Sequence, residues 1–120
     1  DEVGRGCLAG PVVTAAVVLD PARHIGGLAD SKIVPAPERD RLYDVIVRRA
    51  LAWAVAAAEP DEIDTFNIHQ ASLRSMQRSV MALVPLPDLV LVDAFRIPDL
   101  FIPQRGINQG DRRCAAIAAA

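Results

Sequence analysis

The apolar positions of this 120-residue chain follow two periods, one strand-like and one helical. Val12 to Leu19 (VVTAAVVL) is apolar almost throughout, rich in β-branched residues and bounded by Gly10-Pro11 and Asp20-Pro21. This is the pattern of a strand covered on both faces, and it is expected to pair as a hairpin with a strand ending near Val3. Pro21 to Ala36 reads as a loop, with Gly26-Gly27 and two prolines around a polar Asp30-Ser31-Lys32. Pro37 suits the first position of a helix and Glu38 and Asp40 its first turn. Leu42, Val45, Ile46 and Arg49 then follow at helical spacing, to an end near Ala50. Leu51 to Ala58 is again apolar and strand-length, and Pro60 stops it. Asn67 with Gln70 three residues later is a capping pattern, and Leu73, Met76, Val80 and Leu83 share one face, which predicts a helix from Ile68 to about Val84. After Pro85 and Pro87, Leu89 to Val92 forms a short buried strand that delivers Asp93 at its C-terminal end, and Gly110-Asp111 opens a final helix. The order β-β-α-β-α-β-(β)-α describes an α/β fold, a single layered sheet with helices on its faces, in one domain over residues 1–120. Ligands in such sheets sit at the carboxyl ends of strands, where Asp93 falls.

Composition narrows the class. The chain is 52% hydrophobic but only 4% aromatic, so the core is built from Ala, Val, Leu and Ile. No run approaches the roughly 18 apolar residues of a membrane span, and no basic-then-apolar leader opens the chain; it reads as a cytoplasmic monomer with no membrane partner. Cys7 and Cys114 are far apart with no metal-spaced companion, which points to small buried residues and neither a zinc site nor a disulfide framework. Both ends read as cut, because Asp1 opens at the end of an interior strand and Ala120 lies inside an alanine-rich helical pattern. The net charge of −2 opposes a nucleic-acid ligand at first sight. If four acids are neutralised in a metal site, however, the remainder is weakly basic and nearly all its positive charge is arginine.

Four acids stand at element ends: Asp1, Glu2, Asp93 and Asp111. Read singly, Asp111 is a helix cap, Asp1-Glu2 a solvated start and Asp93 a turn residue. Brought together they would repel unless a divalent cation compensated them, and hard oxygen ligands select Mg²⁺ or Mn²⁺. Two such ions about 3.5–4 Å apart activate a water and stabilise a leaving 3′-oxygen. Adjacent strand residues point to opposite faces, so for Asp1 and Glu2 to share a site the chain must bend, and Gly4-Arg5-Gly6 follows at once.

Asp1 to Leu19 (DEVGRGCLAGPVVTAAVVL) resembles the opening motif of the ribonuclease HII family. L-A-D-S-K (Leu28 to Lys32), I-D-x-x-N-I (Ile63 to Ile68), L-V-D-A (Leu91 to Ala94) and G-D-x-R (Gly110 to Arg113) follow in family order. The resemblance implies a ribonuclease H-like mixed sheet with helices on its faces, and metal-binding, catalytic carboxylates at Asp1, Glu2, Asp93 and Asp111. It also implies that Gly4, Arg5 and Gly6 read the 2′-hydroxyl that distinguishes RNA from DNA. Lys32 matches a position near a substrate phosphate, which a loop lysine explains as well; Asn67 matches one near the nucleic-acid backbone, although capping its own helix explains it fully and better; and Arg113 matches a basic position that meets a phosphate or neutralises the acid cluster, with surface solvation as the alternative. Cys114 stands where the family commonly has serine. His24 and His69 have no partner at ligand spacing, and Arg48, Arg49, Arg74 and Arg78 read as helix-surface charges.

The implied activity is hydrolysis of the phosphodiester 5′ to a ribonucleotide in RNA/DNA hybrids or ribonucleotide-containing DNA, by two Mg²⁺ or Mn²⁺ ions, leaving 3′-hydroxyl and 5′-phosphate ends. The setting is ribonucleotide excision repair. A second reading is a hybrid-binding domain without turnover, because the family's C-terminal tyrosine has no counterpart here and Tyr43 lies in the wrong segment. A third is another metal-dependent phosphotransferase, which would cut all-DNA duplex equally.

Overall fold

A computed structural model describes residues 1–7 and 9–120. Its strands and helices follow the predicted order: β1 (Glu2–Val3), β2 (Val12–Val18), α1 (Ala36–Arg49), β3 (Ala52–Ala58), α2 (Pro60–Met81), β4 (Val90–Asp93), β5 (Gln104–Ile107), α3 (Gly110–Arg113) and α4 (Ala115–Ala118). The expected hairpin is present, with Glu2 opposite Thr14 and Val3 opposite Val13. β2 pairs antiparallel with β3 along its whole length, from Val12 opposite Ala58 to Val18 opposite Ala52.

One expectation is corrected. Among the described residues the strands do not join into a single sheet: β1-β2-β3 form one ladder, and β4 and β5 form a separate parallel pair. β1 pairs through only two residues, both with β2. A cavity of about 230 Å³ lies between β2 and β4, lined by Ala16, Val18, Leu83, Val90 and Val92 with Asp1 at its edge.

The core explains the alanine-rich composition. Val12, Thr14 and Ala16 are buried on the β2 face that meets α2, and Ala71, Ser72, Leu73, Ser75, Met76, Ser79 and Val80 are the buried residues of that helix. Alanines on the sheet and serines on the helix let backbones approach closely. The buried hydroxyls stay cheap because each has a partner: Ser72 Oγ donates to Ile68 O (2.7 Å), Ser79 Oγ to Met76 O (2.9 Å), and Ser75 Oγ meets Thr14 Oγ1 at 2.8 Å. On the far side of the sheet α1 packs chiefly through Leu42 against Ile25 and Val34 of the preceding loop.

Two helix boundaries differ from the sequence reading. Helix starts at Pro60, not Ile68, and ends at Met81. Asn67, at φ 68° and ψ 161°, breaks it into a short and a long part, so the capping signal at Asn67 marks an internal restart. The signal for the short part is Pro60-Asp61-Glu62, a proline at the first position with acids in the first turn. At the other end, Cys114 is extended (φ −138°, ψ 116°) and splits the final helix into two four-residue turns. Cys7 is exposed and Cys114 half-buried, which corrects the expectation that both are buried.

Candidate active site

Asp1 and Glu2 sit in regular ladder geometry. Asp1 exchanges both backbone hydrogen bonds with Ala15 (3.1 and 3.2 Å), and Glu2 lies opposite Thr14. The turn begins only afterwards, at Gly4, where Cys7 N donates to Gly4 O at 3.2 Å. The expected reorientation of Asp1 by the Gly4-Arg5-Gly6 bend is therefore not what the structure shows, since the bend lies beyond both acids. Gly4 itself is required there: its φ is +105°, and a Cβ would fall 2.6 Å from Pro11 O. Gly6 is exposed, with nothing within 4 Å of where a Cβ would lie. Arg5 folds back, its Nη1 3.4 Å from Glu2 Oε1.

Asp93 ends β4, as expected, and its Oδ1 accepts the Gly110 N–H at 2.7 Å. A Cβ on Gly110 would lie 3.3 Å from Asp93 Oδ1 and would push the Ile117 side-chain tip aside, so the approach is tight. The same turn carries Asp111, whose Oδ2 is 3.9 Å from Lys32 Nζ. Asp1 lines the same cavity as Val90 and Val92, on the strand that ends in Asp93. The end of β4 and the start of α3 thus meet beside the cavity that Asp1 lines.

The donor chemistry fits a hard divalent cation, since all four groups are carboxylates and the side chains of Glu2 and Asp111 are 15% and 12% exposed. Full convergence is not observed. Among the described residues no group of three or more His, Cys, Asp or Glu stands ready to hold a metal ion. Protein donors engage these carboxylates instead: Asp1 Oδ1 takes the Glu2 N–H at 2.9 Å, Glu2 faces Arg5, Asp93 takes Gly110, and Asp111 faces Lys32.

The remaining predicted residues are spread around this region. Lys32 is exposed and points to Asp111. Asn67 caps the long part of α2, its Oδ1 accepting from His69 N and Gln70 N, both at 3.0 Å. Arg113 is exposed. Arg78 is more than a surface charge: it forms a fork with both Glu62 oxygens (2.8 and 2.9 Å) and donates to Ala57 O. Arg74 stacks on Phe66, its Cζ 4.0 Å from the ring centroid.

Two side-chain groupings were not foreseen from the sequence. Asp30, 1% exposed, accepts from Lys32 N at 3.0 Å and from Arg112 Nε at 3.1 Å, fastening the 30–32 loop to α3. The Lys32 N–H and then Arg112 hold its carboxyl below the usual carboxylate range. The local signal was an aspartate two residues before an N–H it can cap. His69 and Phe95 both contact Arg5, a meeting of three elements that no local spacing could announce.

A family model described as ribonuclease HII matches residues 1–120. Two curated relatives named ribonuclease HII align over 120 residues and all of this chain. One, from Nitrosococcus oceani, is 53% identical and 60% of its length is covered; the other, from an Azoarcus species, is 56% identical with 59% covered. The crystal structure of the ribonuclease H2 from Pyrococcus horikoshii matches with a TM-score of 0.82 at 22% identity, over 100% of this chain and 65% of that one, a likeness of fold. The chain spans about 60% of the length of these curated relatives.

Proposed function

The chain belongs to the ribonuclease HII family, and from that premise we propose that it hydrolyses the phosphodiester 5′ to a ribonucleotide in RNA/DNA hybrids or in DNA with embedded ribonucleotides, leaving 3′-hydroxyl and 5′-phosphate ends. The observation that carries the reading is the meeting of the end of β4 with the start of α3, beside the cavity that Asp1 lines. It puts Asp93 Oδ1 2.7 Å from the Gly110 N–H, on the turn that bears Asp111.

Asp1, Glu2, Asp93 and Asp111 would hold two Mg²⁺ or Mn²⁺ ions, which requires the start of β1 to leave its straight ladder so that Asp1 and Glu2 face one side. When bound, such ions supply a water of lowered pKa and stabilise the leaving 3′-oxygen. The carboxylates would exchange their present partners for the cations: Arg5 would leave Glu2, and Lys32, only 3.9 Å from Asp111, would turn to a substrate phosphate. Gly6, open on its Cβ side, would let the backbone approach the ribose. Asn67 and Arg113 would add contacts to the nucleic-acid backbone. The protein would act as a cytoplasmic monomer in ribonucleotide excision repair; among the described residues no helix is long and apolar enough to cross a membrane.

The test is a labelled duplex bearing one ribonucleotide, with the ends of the products mapped. A single cut 5′ to the ribonucleotide, leaving a ligatable 3′-hydroxyl, is expected. Cutting 3′ to it, or ends carrying a 2′,3′-cyclic phosphate, would refute the mechanism.

A further inference from the structure

Arg5 is fastened by side chains from three different parts of the fold. Its Nη1 lies 3.4 Å from Glu2 Oε1, its Nη2 lies 3.4 Å from His69 Nδ1, and its Cζ stands 5.6 Å from the centroid of the Phe95 ring. His69 and Phe95 also meet edge to face, with centroids 5.0 Å apart at 69°. His69 occupies the first turn of the long part of α2, its own N–H held by Asn67 Oδ1. Phe95 follows Ala94, which turns the chain at φ 60° directly after Asp93.

The guanidinium carries donors only, so a hydrogen bond in this contact requires His69 Nδ1 to accept. A guanidinium over an aromatic face is attracted by the ring quadrupole. The third partner is different in kind. Glu2 is one of the four carboxylates that would bind a cation, and a cation there competes with Arg5 for the same oxygens. His69 and Phe95 bear no such second duty.

We propose that His69 and Phe95 are positioning residues that hold Arg5, and through it the Gly4-Arg5-Gly6 turn, in the conformation that discriminates a ribonucleotide. This rests on the substrate-reading role of that turn proposed above. Fixing a recognition loop before binding strengthens binding by lowering the ordering cost.

The test has two arms, both on the full chain in EDTA, with melting curves confirming that each variant is folded. The first measures the order of the Arg5 Nε–Hε group by NMR relaxation. It is expected to be ordered in the wild type, mobile in His69→Leu and Phe95→Leu, and ordered again in His69→Gln, whose amide oxygen can accept. The second arm measures binding to a duplex with one ribonucleotide and to its all-deoxy counterpart. His69→Leu and Phe95→Leu are expected to weaken only the first, by about 3- to 10-fold, with His69→Gln near wild type. An Arg5 signal unchanged by His69→Leu, or equal weakening for both duplexes, overturns the proposal. If the wild type does not distinguish the duplexes while Arg5 still loosens in His69→Leu, the ribonucleotide reading fails and the positioning of Arg5 stands.

Discussion

Gly4 and Gly6 flank the same arginine, yet the fold needs them for different reasons. Gly4 has a positive φ and a carbonyl where its Cβ would lie, whereas Gly6 has neither. Gly4→Ala is therefore expected to lower stability by about 2 kcal/mol, read as a lower melting temperature. Gly6→Ala is expected to melt like the wild type and to lose affinity for a ribonucleotide-containing duplex. Equal melting losses for both would show that the turn, not a ligand, demands both glycines. The glycines, the arginine and the four acids could be singled out in the sequence because each lies in a local pattern or at an element end. His69 was not, because its partner is 64 residues away and nothing in helical spacing distinguishes a histidine that touches arginine from one in solvent.

Among the elements, α2 shows how a correct signal can be assigned to the wrong event. Asn67 does cap a helix, through two N–H groups at 3.0 Å, but the chain is already helical from Pro60. Asn67→Ala removes this cap and places a less tolerant residue at φ 68°, and is expected to cost about 1 kcal/mol or slightly more in chemical denaturation. Asn67→Gly keeps the dihedral freedom and should cost less. A wild-type result for Asn67→Ala would mean that the kink is held by packing alone. The inward face of α2 was only partly legible: Leu73, Met76 and Val80 follow the apolar period, while Ser72, Ser75 and Ser79 read as polar. Their burial depends on hydrogen bonds to the helix backbone and to Thr14, contacts outside any hydropathy pattern.

Across the whole molecule, order and class of elements followed from periodicity, but the joining of strands did not. Which strands lie beside β1 depends on contacts between distant segments, which an apolar run does not specify. Long-range ties also set the acid response. Asp30 links the 30–32 loop to α3, and its carboxyl is held below the usual range by the Lys32 N–H and then by Arg112. A lowered folded-state pKa contributes stability above the unfolded value, near 3.9, that is lost as pH falls through the folded one. Wild-type melting temperature should therefore fall between about pH 5 and pH 2 more steeply than that of Asp30→Asn; parallel curves would remove Asp30 from the account. The central claim is that Asp1, Glu2, Asp93 and Asp111 form one metal-dependent nuclease site. Its most direct test is incision of a duplex bearing one ribonucleotide, with and without Mg²⁺ or Mn²⁺, by wild type and Asp93→Asn. The account predicts metal-dependent incision by the wild type, none of the all-DNA duplex, and a loss of at least about 100-fold in Asp93→Asn. Incision that persists in Asp93→Asn, or that falls equally on both duplexes, would contradict it.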